Sequence, residues 1–147
     1  MAGPVATVSA ARASGPRRSR RHVRAIAYDP GMATYALIHG AGDGGWFWHL
    51  VAAELRGRGQ EVAASMARAR GQSDTPLERP WPLPAWPEVP TRFLLCRDDR
   101  FFPPEFLRRV VRERLGIVPD EIDGGHCVAL SRPRELADRL EGYRAAL

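Results

Sequence analysis

The stretch TYALIHGAGDGG, residues 34–45, decides the reading of the chain. Thr34 to Ile38 is an apolar run of the length and kind that forms a buried parallel strand. The seven residues that follow, His39-Gly40-Ala41-Gly42-Asp43-Gly44-Gly45, place four glycines in six positions. A backbone of that composition turns sharply or approaches something closely. Trp46 to Arg58 then reads as a helix, with Trp46, Leu50, Val51 and Leu55 at helical spacing and Gly59 as its stop. Strand, glycine loop and helix in succession open an α/β unit. Such a loop presents backbone N–H groups. Phosphate binding is one use of them, but no Gly-Lys-Ser/Thr signature follows. The other use is an oxyanion hole, whose donors face a developing negative charge.

Upstream of this unit the composition changes. Residues 1–31 hold Arg12, Arg17, Arg18, Arg20, Arg21 and Arg24 against Asp29, which accounts for the whole net charge of +5. The rest of the chain carries 16 arginines and 16 acids out of totals of 22 and 17, and there is no lysine. A neutral body lacks the footprint of a nucleic-acid binder, so no nucleic-acid partner is expected. Residues 1–31 are Ser- and Arg-rich with no apolar periodicity, and the expectation is a disordered basic extension. Its composition is also that of a transit peptide. The plainer expectation is an extension without a role, with Met32 as a functional start and residues 32–147 as the folded part. No apolar run is long enough to span a bilayer and no secretory leader is read, so no membrane partner and a cytoplasmic location are expected. Cys96 and Cys127 lie in apolar surroundings and are expected as buried thiols rather than a disulfide.

Downstream, Glu61 to Gly71 reads as weakly helical. Residues 72–90 contain Pro76, Pro80, Pro82, Pro84, Pro87 and Pro90, which excludes a helix or central strand. An extended connector is expected, with Trp81 and Trp86 either packed onto the body, the favoured reading, or lining a pocket. From Gly59 to Thr91 no strong strand is read. Thr91 to Cys96 is the second clear strand. Glu105 to Leu115 reads as an amphipathic helix turning Phe106, Val110, Val111 and Leu115 inward and ending at Gly116. Glu121-Ile122 is at most a short strand. The last helix opens at Ser131 and Pro133, with Leu136, Leu140, Tyr143 and Leu147 as its apolar stripe.

Two features here carry chemistry. The second strand ends in Asp98-Asp99, and either carboxylate could orient an imidazole and stabilise its charged form. His126 follows the Gly124-Gly125 pair in DEIDGGHCVALSRP, residues 120–133, on a loop suited to proton exchange near neutral pH. Neither feature is decisive alone.

Taken together, several motifs resemble the alpha/beta-hydrolase family. They are His39-Gly40-Ala41-Gly42 with Gly45-Trp46, Asp99 four residues before Pro103, and Gly125-His126 with Leu130 to Pro133. The likeness is greatest to its small methylesterase and hydroxynitrile-lyase branch. It covers roughly residues 32–60 and 77–147. The resemblance implies a parallel-sheet α/β core and acyl transfer on small esters or amides through a Ser–His–Asp triad. It makes Asp99, not Asp98, the acid and His126 the base. Ala41 matches the position whose N–H serves the oxyanion hole, and His39 and Gly40 match the loop that shapes it. Trp46 becomes a wall residue of the pocket or a packing residue. No metal or other cofactor is implied.

The sequence departs from the family at the nucleophile. The strand–turn–helix elbow G-x-S-x-G is absent. Ser73 in Gly71-Gln72-Ser73-Asp74-Thr75 lacks the closing glycine and a preceding strand, and Ser65 fits less well. The expectation is a core without its central strands, its elbow and most of its cap, as if a block were lost near Gln60 to Ala64. Acid and base without the serine give little rate, because triad members act as a unit. Whether the chain is an enzyme is therefore open. The other reading is an inactive remnant that binds a small ligand or a protein. Open strand edges would also favour a homo-oligomer.

Overall fold

A computed structural model describes residues 33–38, 40, 43–63, 78, 80, 84 and 88–146. The expectations for residues 1–31, Met32, His39, Ala41, Ser65, Ser73, Trp81, Trp86 and Leu147, and for most of the proline-rich segment, lie outside the described residues.

The first unit runs strand, helix, strand. β1 (Thr34–Ala36) leads through a 3-10 turn (Gly45–Trp48) into α1 (His49–Gly57) and then β2 (Glu61–Ala63). β1 and β2 pair in parallel, Tyr35 opposite Val62. The pairing is extended at both ends by Glu61 N–H to the Ala33 carbonyl and Leu37 N–H to the Ala63 carbonyl, each 3.0 Å. α1 ends in a tight cap. The Gln60 N–H reaches back to the Leu55 carbonyl (3.1 Å) and the Gly59 N–H to that of Arg56 (3.0 Å), with Gly59 at φ +82°. This bond pair needs a left-handed residue, which glycine supplies without a Cβ clash.

Two sequence expectations are corrected here. Glu61–Ala63 is a strand, not the start of a weak helix. Glu61 and Ala63 are poor strand formers and only Val62 favours a strand; pairing with β1 decides their state. The inward face of the first helix also differs. Its entry winds as a 3-10 turn, three residues per turn, so the helical phase read from Trp46 is lost. Phe47, Trp48, Val51, Ala52 and Leu55 go inward, while Trp46 is 46% exposed and Leu50 sits at the surface.

The second unit has the same parallel arrangement. β3 (Leu94–Cys96) is followed by α2 (Pro104–Leu115), β4 (Asp120–Ile122), α3 (Val128–Ser131) and α4 (Pro133–Ala145). β3 and β4 pair with Leu95 opposite Glu121. α2 starts on Pro104, whose missing N–H costs nothing at a first turn, and ends at Gly116 with φ +67°. It buries Val111 but leaves Phe106 exposed, against the expectation for Phe106. The last helix is two. Arg132, at φ −138° and ψ 54°, breaks it, because the residue before Pro133 is pushed out of helical conformation. α4 turns Leu136, Ala137 and Leu140 inward.

The described residues thus form an α/β core with parallel strands, as two separate two-stranded sheets. One hydrophobic cluster joins them, taking in Tyr35, Phe47, Leu55, Ile122, Ala129 and Leu140. A polar seam does the same. Tyr35 Oη donates to Glu141 of α4, Gln60 Nε2 donates to the other Glu141 oxygen (3.2 Å), and the Ala33 N–H donates to Gln60 Oε1 (2.7 Å). Gln60 is therefore built into a continuous β–α–β unit.

Candidate active site

The site forms where β3 and β4 end. Beyond Cys96 and Ile122 the two chains stay together through the Arg97 N–H to the Ile122 carbonyl (2.9 Å) and the Asp98 N–H to that of Gly124 (3.0 Å). This ladder carries Asp99 and His126 into contact. His126 Nδ1 lies 2.9 Å from Asp99 Oδ2. The second Asp99 oxygen accepts from the Phe101 N–H (2.8 Å) and the Phe102 N–H (3.0 Å). An ionised carboxylate only accepts, so Nδ1 carries the proton and Nε2 is left as the exchanging nitrogen.

Asp99 is well buried, its side chain 6% exposed, while that of His126 is 27% exposed. Burial alone would raise the Asp99 carboxyl. The hydrogen bonds from His126 and from the Phe102 and Phe101 amides outweigh it and hold the group below its ordinary value. Cys96 lies behind it, its thiol pushed up to about 11 by burial and then by the charges of Asp99 and Asp98. Both cysteines are free; Cys96 is buried as expected, but Cys127 is exposed, because it stands on the turn that opens α3.

The surroundings are aromatic on one side and ionic on the other. The Phe101 and Phe102 rings lie 4.9 and 5.5 Å from the imidazole, centroid to centroid. Phe101 is 76% exposed, a large apolar surface beside a polar group. Arg97 bonds Glu121 (2.9 Å) and Asp123 (2.6 Å), so that arginine is engaged with β4 and its following loop. Arg108 of α2 also bonds Glu121, at 2.8 Å. Arg108 first and then Arg97 lower the Glu121 carboxyl to about 2.

Of the other residues picked from sequence, Ala41 and His39 lie outside the described residues. Gly40 is described, and its carbonyl accepts from the Asp43 N–H (3.3 Å). Trp46 stacks on His49 at 4.3 Å, so its contact is with its own helix. The roles of Phe101, Phe102 and Asp98 beside the imidazole were not read from sequence. Adjacent phenylalanines one residue beyond a candidate acid were the available signal. Among the described residues no group of three or more His, Cys, Asp or Glu side chains is placed to hold a metal ion, and no helix is long and apolar enough to cross a membrane.

Residues 56–139 match the sequence profile of the alpha/beta hydrolase family. The chain belongs to that family. No curated protein and no solved structure matches it. The family match starts in α1 and runs through β2, β3, β4 and into α4, so it spans Asp99 and His126. The match does not include the glycine loop. Gly40, Gly42 and Gly45 do stand at G-x-G-x-x-G spacing, so spacing alone does not separate a dinucleotide loop from an oxyanion loop.

Proposed function

We propose that this alpha/beta hydrolase carries the acid and base of an ester- or amide-cleaving site, Asp99 and His126, without the serine that completes it. The finer kinship is to the methylesterase and hydroxynitrile-lyase branch. The observation that carries the reading is the 2.9 Å contact between His126 Nδ1 and Asp99 Oδ2. It fixes the imidazole in the tautomer a general base requires, with Nε2 free to take a proton from a nucleophile and return it to a leaving group. The Ala41 N–H would stabilise the oxyanion, with His39 and Gly40 shaping the loop. Without an activated nucleophile this pair produces little acceleration.

The test is turnover of an activated ester such as p-nitrophenyl acetate, with a fluorophosphonate probe for a reactive serine. We expect hydrolysis at the background rate and no labelling. Stoichiometric labelling of Ser73 would overturn the proposal and make the chain a working hydrolase, in which case His126→Ala should abolish turnover. A second reading is favoured by the exposed Phe101 ring beside His126: the site binds a small apolar ligand without converting it. Saturable binding of an aromatic ester analogue, lost in Phe101→Ala, would establish it.

A further inference from the structure

We propose that Asp98 is a positioning residue for the His126 loop, tying the turn that carries Asp99 to the glycine pair that carries the imidazole. The proposal rests on the reading of Asp99 and His126 as a working pair. β3 and β4 stop pairing as strands at Cys96 and Ile122. Past that point the Arg97 N–H still reaches the Ile122 carbonyl (2.9 Å) and Arg97 pairs with Asp123, and Asp98 then makes the bonds to Gly124 itself. Its N–H donates to the Gly124 carbonyl (3.0 Å), and its Oδ2 accepts from the Gly124 N–H (3.1 Å). Asp98 and Gly124 therefore bond each other in both directions. Asp98 adjoins the acid, and Gly124 stands two positions before the base.

The tether is needed because of the backbone it holds. Gly124 sits at φ +125°, a region that side-chain-bearing residues rarely adopt, and glycine also leaves it easily. The Asp98 N–H holds the carbonyl of Gly124, and the Asp98 carboxylate is what holds its N–H. A Cβ on Gly125 would meet the Asp98 carbonyl oxygen at 3.7 Å, so the two loops are already in close contact there. Asp98 is exposed. A single bond from an exposed carboxylate adds little to global stability. Its loss should therefore loosen the imidazole without unfolding the chain.

The experiment follows the Nδ1 proton of His126 by NMR in the full chain, alongside the thermal melt. In the wild type a protected downfield resonance, absent in Asp99→Ala, marks the proton held by the carboxylate. Asp98→Ala should lose this resonance while melting as the wild type does. Asp98→Asn, whose amide oxygen still accepts from Gly124, should keep it. A resonance that persists in folded Asp98→Ala overturns the proposal, as does its loss in Asp98→Asn. A second measurement uses no variant: the Gly124 amide of the wild type should exchange slowly with deuterium, and exchange at the open-chain rate overturns the proposal even if Asp98→Ala does not fold. Absence of the resonance from the wild type would instead defeat the pairing of Asp99 with His126, a separate and distinguishable result.

Discussion

Asp99 gathers three N–H donors on two oxygens within a largely buried side chain. An asparagine there would turn an NH2 group toward at least one of those donors. We expect Asp99→Asn to cost about 1–3 kcal/mol in urea unfolding, the usual penalty for a mismatched buried polar group. The pH dependence follows from the direction of its shift. The folded carboxyl titrates below its unfolded value, so protons bind the unfolded chain first. The stabilisation is whole above the ordinary carboxylate range and is lost as pH falls through the lower, folded value. Glu121 behaves likewise between 4.5 and about 2. Stability should therefore fall from about pH 4 downward, and less steeply in Asp99→Asn; a unfolding midpoint flat to about pH 2 would contradict this. At this scale the sequence was half legible. It offered two adjacent acids, and local chemistry could not choose between them. Only the family likeness singled out Asp99, and Asp98's bonds depend on Gly124 arriving from the next strand, which no local pattern reveals.

Elements were legible where their signals were local. Gly59 and Gly116 stop their helices as read, because a left-handed terminal residue is a property of the residue itself. Replacing Gly59 by alanine should destabilise the protein by about 1 kcal/mol, since nothing crowds the position and only backbone conformation is at stake. A thermal melt measures it; an unchanged midpoint would show that the cap does not need its left-handed residue. Elements set by distant partners were not legible. β2 exists because β1 lies beside it, and Glu-Val-Ala announces nothing alone. The 3-10 entry to α1 turned the phase of the apolar face, so Phe47 and Trp48, not Trp46, reached the core.

For the whole molecule, the α/β class was legible from strand–loop–helix order. Among the described residues each strand has a hydrogen-bonded neighbour on one side only. Open edges recruit other strands, and we expect concentration-dependent self-association in sedimentation experiments; a monomer at all concentrations would argue that the edges are covered. The seam from Tyr35 and Gln60 to Glu141 has a bearing on biosynthesis. Tyr35 and its acceptor are 106 positions apart, so β1 leaves the ribosome well before α4 and waits for it before the Tyr35 phenol finds this acceptor. Nascent chains stalled ahead of Glu141 should stay open to protease around Tyr35, and it is in that interval that the cell's chaperones would have to guard them.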